Sequence, residues 1–514
     1  MKKYLLALFL PLLILTGCGH KSGNSTELNF LMLGKEPQGF NEVIAEAKKQ
    51  VLPLGITGLN FEFIEDPQEF ADTEYVRLLA GKDYDIVYAT TGKNFNQLKN
   101  LAIYADLTDD ILNNAEYSVL KNLYPDIVWE TIKKGSKGKI YGIPHNMMYG
   151  DNMNVVYYRA DFAKEWGMRV SSLDDLGAYL DRCILEKKDM TALSAKEKTG
   201  LTSLFVENPK ALYDSGVLKY NSYYIVLNDD KKSVKDIIHK IEPYQNFEAM
   251  PQSVRDNKLL LRDRAEEFIE WNKYLNPDKD RDTEPRDDFM DKKACAYVGS
   301  ITDYEKLTKK LSSDEIGSIY VIPDIADMTQ KRLSNLNFSS FTCITERSEK
   351  KELALKFMCW LMGDRKNIDL FNLGIEWRDY VTDGDGYKRL SDYEFNSANL
   401  TQNPKNIRLN NSIAPELREI INHYSDINNS DISPLAGFVF DNSKVVKTEN
   451  KISKISMSEE EKNDYKNGRD NYYKTRAGED YEKIKAPIEE YKAELKYQIE
   501  NYLRTGENVD YDKK

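Results

Sequence analysis

Three short apolar runs, separated by helical stretches, occupy the first ninety residues after an N-terminal leader and restrict the fold open to this chain. Leu28–Leu33 (LNFLML) reads as a buried strand closed by the turn Gly34-Lys35-Glu36-Pro37. Asn41–Leu52 carries apolar residues at helical spacing, and Leu59–Ile64 (LNFEFI) alternates as a second strand. Glu74–Ala80 fits a helix, and Asp83–Tyr88 (DYDIVY) is a third strand running into Ala89-Thr90-Thr91-Gly92. Strands joined through helices form a mainly parallel sheet, because a crossover of that length returns the chain to the end where it began. The expected class is α/β.

The pattern persists through the 514 residues, too long a chain for one core and suggestive of two or three compact units. Lys139–Pro144 and Asn154–Tyr158 are strand-like and flank a polar turn. Ser171–Tyr179 should be a helix capped by Ser171 or Ser172, and Ala294–Val298 and Ser318–Ile322 are further short strands. Leu353–Met362 is apolar nearly all round, as a buried helix is. Met457–Asp480 is rich in Glu, Lys, Asn and Tyr and reads as solvated helix or loop. Beyond it, Ile484, Ile488, Tyr491, Leu495, Ile499 and Tyr502 make one apolar stripe, predicting an amphipathic helix that starts near Pro487 and docks on the body.

The leader itself has Lys2 and Lys3, an apolar run Tyr4–Leu15, and small residues before Cys18. A basic head, an apolar middle and a small-residue exit are the parts of a secretory signal peptide, here residues 1–17, and the run is short for a membrane span. Leu15-Thr16-Gly17-Cys18 resembles the bacterial lipobox, which makes Cys18 the expected lipidation site and residues 18–27 a short polar tether. The rest of the chain has no second long apolar run, so it is expected to be soluble outside the membrane. Loss of the leader removes only Lys2 and Lys3 among charged groups, making the chain more acidic than its formal −12. Such a surface argues against nucleic acid, which needs clustered Lys and Arg.

Chemistry-bearing motifs are scarce. There is no G-x-S-x-G and no glycine-rich phosphate loop, so no catalytic residue is assigned and no enzyme is expected. Four histidines are dispersed, and the cysteines other than Cys18 (Cys183, Cys295, Cys343, Cys359) lack metal spacing, so no metal and no cofactor is expected. Cys295, Cys343 and Cys359 sit in apolar runs and read as small core residues, although export would permit a disulfide. The run Asp278, Asp280, Asp282, Glu284 lacks the glycine and glutamate of a calcium loop, and Asp383-Gly384-Asp385-Gly386 reads as a turn. A carboxylate pair of a glycosidase finds no local signal, because separation in space cannot be read from sequence. The informative residues follow the strands: Lys35 and Glu36, Thr90 and Thr91, His145, Asn146 and Tyr149, then Ser300. Loops beyond the carboxyl ends of α/β strands line the ligand crevice, and this mixture of aromatics, amides and hydroxyls suits a polar, uncharged ligand such as a sugar. The same residues could instead serve turns and core packing.

Six stretches, taken in order, resemble the extracellular solute-binding lipoproteins of ABC importers, in particular the large sugar-type (family 1) LplA- or LipO-like proteins. They are Tyr84–Tyr88, Leu101–Thr108, Gly138–Pro144 leading to Val155–Arg159, Phe289–Ser300 (FMDKKACAYVGS), Ala354–Gly374, and Pro434–Ser443 (PLAGFVFDNS). The resemblance implies a two-lobed periplasmic-binding-protein-like (type II) fold with a hinge and a helical C-terminal tail. Lobe 1 would comprise residues 28–151 and 338–372, lobe 2 residues 152–337 and 373–456, and the charged extension residues 457–514. Crossings would fall near 150–154, 337–341 and 372–377. It further implies a carbohydrate ligand between the lobes, an ABC permease as partner, a lipid anchor at the outer face of the cell membrane, and a monomer. Asn146, Tyr149, Ser300 and Trp377 are the contacts it favours, with Trp271 behind them. A secreted carbohydrate-active enzyme and a peptide-binding lipoprotein or adhesin are the competing readings.

Overall fold

A computed structural model of the chain describes residues 26–90, 93–145, 154–194, 209–239, 242, 252, 271–275, 284–301, 303–320, 328–329, 331–336, 338, 340–395, 400, 406–453, 481–509 and 511. The leader, Cys18, most of the tether, Thr91, Asn146, Tyr149, residues 150–153 of the first expected crossing, Asp278–Asp282 and Met457–Asp480 lie outside the described residues.

The first strands are β1 (Glu27–Leu33), β2 (Gly58–Ile64), β3 (Ile86–Thr90) and β4 (Ile143–Pro144). β1 pairs in parallel with β2 on one side and β3 on the other, as the intervening helices Phe40–Val51 and Pro67–Leu79 require. The second helix starts seven residues earlier than the periodicity implies, because Asp66 accepts the Glu69 N–H at 2.8 Å and Pro67 occupies the first turn.

The chain then builds a second sheet from β5 (Asn154–Arg159) and β6 (Thr191–Ser194), linked by the helix Leu173–Glu186, whose cap is Ser172. A separate antiparallel sheet follows, β7 (Val217–Tyr220), β8 (Tyr223–Leu227) and β9 (Val234–His239), which the sequence reading did not foresee. β10 (Ala294–Ser300) and β11 (Ile316–Tyr320) return to the second sheet, giving the order β11-β5-β10-β6. After β12 (Arg332–Ser334), β13 (Ser340–Ile344) re-enters the first sheet antiparallel to β3 and β4, completing β2-β1-β3-β13-β4. A hairpin of β14 (Tyr380–Asp383) and β15 (Gly386–Arg389) turns at Gly384-Asp385, and β16 (Ser430–Ile432) pairs with β12.

Each sheet has its own core. In the first, Phe30 stacks on Phe61 at 4.1 Å, and the helix Lys351–Gly363 buries Ala354, Phe357, Met358 and Leu361 against the strands. Tyr393, Phe395, Leu400, Ile427 and Ala436 also pack into this first core. The second sheet buries Val156, Leu193 and Ala296 on one face and Val155, Tyr157 and Tyr297 on the other, the period-2 alternation of a sheet covered on both sides. The C-terminal helix runs Tyr481–Thr505, so it begins before Pro487 and contains it. All six stripe residues are buried, and Tyr491, Leu495, Ile499 and Tyr502 meet Tyr223, Ile225, Leu435 and Phe438 in a third core. No helix among the described residues is long and apolar enough to cross a membrane.

Candidate functional site

The sheet order 2-1-3 places a topological switch between β1 and β3, where the chain leaves β1 toward one side and β3 toward the other. The crevice outside the carboxyl ends of such strands is where ligands sit in open α/β sheets. Lys35 and Glu36 follow β1 there, both exposed, while Thr90 ends β3 half-buried. The register Ser340↔Thr90 and Phe341↔Pro144 brings the start of β13 and the end of β4 to the same edge. Both connections between the two sheets depart from this edge. The chain leaves β4 at His145 to enter β5 at Asn154, and it leaves β11 at Tyr320 to enter β13 at Ser340.

His145 is buried, and its imidazole lies 2.7 Å from the Ser340 hydroxyl and 2.8 Å from that of Thr342. Tyr88 covers the ring at 5.1 Å. Burial pushes the imidazole down to about 3, so the ring is neutral, one nitrogen donating and the other accepting. With both nitrogens engaged, His145 fastens the end of β4 to β13 and leaves contact with a ligand to its neighbours.

Trp377 is 79 % exposed, the most exposed large apolar side chain among the described residues, and has φ +70. A bulky side chain in the left-handed region is strained, and the surrounding bonds hold it there. Its N–H donates to the Tyr380 carbonyl at 2.7 Å. Asp379 accepts from the Ile375 N–H at 2.8 Å and from Ser391 Oγ at 2.8 Å, and it pairs with Arg378 at 2.6 Å. Burial alone would raise the Asp379 carboxyl, but these bonds more than offset it and hold it below the usual carboxylate range. Gly374, at φ +89, is required at the loop entrance because a Cβ there would strike Asp379. The Arg378 guanidinium packs on Gly39, with Nη2 3.2 Å from where a Cβ would sit, so the Trp377 loop abuts the loop that carries Lys35 and Glu36.

Ser300 ends β10 opposite Asn154, at the edge of the second sheet that faces the same connections. Its N–H donates to Asp303 at 3.1 Å, and its carbonyl accepts from the Tyr157 hydroxyl at 2.8 Å. Trp271 stands elsewhere. It is buried in the second core, edge-on to Tyr274 at 5.3 Å and 3.7 Å from a Cβ position at Gly177. Sequence reading missed Tyr88, Ser340, Arg378 and Asp379. The last two adjoin a tryptophan already singled out, but Ser340 meets His145 only through a pairing across 195 residues.

At the end far from the connections, buried Asp85 pairs with Lys350 at 2.8 Å in the first body, and buried Arg159 pairs with Glu315 at 2.8 Å in the second. At the connection end of the first sheet His145, Ser340, Thr342 and Tyr88 are buried and neutral, while the adjoining Trp377 loop buries the ionised Asp379 against Arg378. Among the described residues no group of three or more His, Cys, Asp and Glu could hold a metal ion. Two surface hollows, about 730 and 920 Å³, have linings that include none of Lys35, Glu36, Thr90, His145, Ser300 or Trp377.

Two α/β bodies joined by recrossing connections at one edge are the fold of the periplasmic-binding-protein-like solute-binding proteins. The N-glycan transport solute-binding protein NgtS of Streptococcus pneumoniae superposes with TM-score 0.65 at 16 % identity, over 93 % of this chain and 99 % of that one. An HMO-binding, ABC-transporter-associated solute-binding protein of Bifidobacterium longum infantis gives 0.53 at 13 %, over 93 % and 98 % of the two chains. FusA of S. pneumoniae, an ABC-transporter substrate-binding protein solved with kestose, gives 0.50 at 11 %, over 93 % and 99 %. No family model matches the chain, and no curated protein matches it significantly.

Proposed function

We propose that this chain is an extracellular solute-binding lipoprotein of the sugar-type family, which captures a carbohydrate, most simply a neutral oligosaccharide, and hands it unchanged to an ABC permease. The carrying observation is Trp377: an exposed indole held in a strained backbone conformation beside the switch-point loop is what a stacking platform for a sugar face needs. The neutral His145, Ser340 and Thr342 at the end of β4, with the nearby Asp379 carboxylate already paired to Arg378, support an uncharged ligand. The named cargo of NgtS, the HMO-binding protein and FusA supports the class.

In this reading residues 28–151 with 338–372 form one lobe, residues 152–337 the other, and residues 457–514 are an extension. Of the stretch 373–456 expected in that second lobe, Tyr393, Phe395, Leu400, Ile427 and Ala436 pack instead in the first core, while Ile413, Leu417 and Ile420 pack in the second. Lys35, Glu36, Thr90, Thr91, Asn146, Tyr149, Ser300 and Trp377 face the ligand, with His145 fixing the edge and Trp271 supporting its lobe from within. A ligand that touches both bodies favours the closed arrangement by its differential affinity, and the permease reads closure. Cys18 carries the lipid, the receptor is a monomer on the outer face of the membrane, and the anchor keeps it at high effective concentration near the permease.

A thermal-shift screen against neutral oligosaccharides, acidic oligosaccharides and peptides tests the reading, since a ligand of the native state raises the melting temperature. A neutral oligosaccharide should raise it. Trp377→Ala should weaken that binding roughly tenfold or more while leaving the unliganded melting temperature unchanged. A shift with peptides alone, or hydrolysis of the glycan by the purified protein, would end the proposal.

A further inference from the structure

Two of the four described cysteines are placed together. Cys183 lies on the third turn of the helix Leu173–Glu186 and Cys295 is the second residue of β10, the strand flanked by β5 and β6. Both are buried in the same core cluster, and the proximity of Cys295 is the largest of the effects that raise the Cys183 thiol. The helix is indexed on the strand by Tyr179, one turn before Cys183, whose hydroxyl lies 3.2 Å from the Cys295 carbonyl. Cys183 lies on the same face of the helix as Tyr179.

We propose that Cys183 and Cys295 close a disulfide across the core of the second body when the chain folds in an oxidising compartment, with a small-molecule disulfide as oxidant. One cysteine thiolate attacks the reagent, breaks its S–S bond, forms a mixed disulfide and releases one thiolate. The other attacks the protein sulfur of that mixed disulfide, forms the Cys183–Cys295 bond and releases the second thiolate. Two electrons pass to the reagent, and the two cysteine protons end on the two thiols released. Proximity to Cys295 and burial both push the Cys183 thiol up, so the folded core is inert and the bond forms while the chain folds. The bond would tie residues 183 and 295 across the segment that includes β7–β9, the long-loop case in which a cross-link most restricts the unfolded chain.

The proposal rests on the export half of the functional reading and not on the ligand, and refolding in vitro tests it without either. The full chain carrying Cys18→Ser is reduced, denatured and refolded in a glutathione–glutathione disulfide buffer. It is then alkylated under denaturing conditions and mapped without reduction. The expected result is one linked peptide pair containing Cys183 and Cys295, alkylated Cys343 and Cys359, and, before alkylation, a mass about 2 Da below the reduced chain. Its melting temperature should fall by roughly 5 °C or more on reduction, and Cys183→Ala with Cys295→Ala should abolish that dependence. If that variant does not fold, Cys343→Ala with Cys359→Ala keeps only the pair and should lose the same mass. Natively folded protein with all four cysteines alkylated, or a link through Cys343 or Cys359, would overturn the proposal.

Discussion

His145 and Glu74 sit in the first body and titrate in opposite senses. Burial raises the Glu74 carboxyl to about 7, an effect the Tyr104 hydroxyl, donating at 2.6 Å, only partly offsets. A carboxyl whose folded value exceeds its unfolded one favours folding below pH 4.5 and loses that contribution as pH rises through 7. His145, lowered to about 3, favours folding above pH 6.5 and loses its contribution as pH falls toward 3. Glu74→Gln should therefore stabilise the protein by about 2–3 kcal/mol at pH 8 and by almost nothing at pH 4. It should also unmask the His145 slope, a gain of about 1.4 kcal/mol per pH unit between pH 4.5 and 6.5. Urea denaturation from about pH 4 to pH 8 measures both, and a variant no more stable than the parent at pH 8 would contradict the burial argument. The histidine was visible in the sequence as a strand-end residue. Its neutral, doubly bonded state was not, because Ser340 and Thr342 reach it only through the β13 pairing.

Among elements, local signals placed several helices and strands to within a few residues, although the Asp66–Pro67 start of the second helix was missed by seven. Ser172 caps its helix by accepting the Asp175 N–H at 3.1 Å, and the LNFLML and LNFEFI runs became β1 and β2. The C-terminal helix shows where such signals end. Its stripe was readable, but the partner surface is β7–β9, whose turn at Asn221 (φ +51) is a hairpin signal that passed unnoticed. Tyr223 and Tyr491 stack at 4.9 Å, and Lys492 pairs with Glu242 at 2.9 Å, joining segments some 250 residues apart. Because this helix supplies much of the third core, Leu495→Ala should cost about 3 kcal/mol and expose that sheet. Hydrogen exchange should then report faster exchange in β8 and β9 with the first body unchanged; uniform exchange throughout would refute the separate core.

At the scale of the molecule, the same helix touches the first body as well. The Gly135 N–H donates to the Gly506 carbonyl at 3.2 Å, and Asn508 bonds the Gly437 carbonyl and the Val439 N–H. The β7–β9 sheet is thus braced from the first body by a segment from the end of the chain. The proposed anchor acts at this scale too, since it decides where the receptor works without touching its ligand. Cells given a clickable fatty acid should label the protein, and Cys18→Ser should abolish the label and release the chain to the medium; persistent labelling of that variant would exclude Cys18 as the acceptor.

The sequence by itself determined the α/β class, most strands of the two sheets but not β6 or β13, the Ser172-capped helix, the buried stripe of the last helix and the residues that follow the strand ends. These depend on neighbours within a few positions, where periodicity and capping act. Only the tertiary structure decided that β13 returns to lie between β3 and β4, that His145 is neutral and Asp379 ionised, that Trp377 stands out beside the β1 loop while Trp271 is buried, and that Cys183 and Cys295 share one core. Each of those outcomes rests on a contact between segments far apart in the chain, where burial and charge are set by whichever surface arrives.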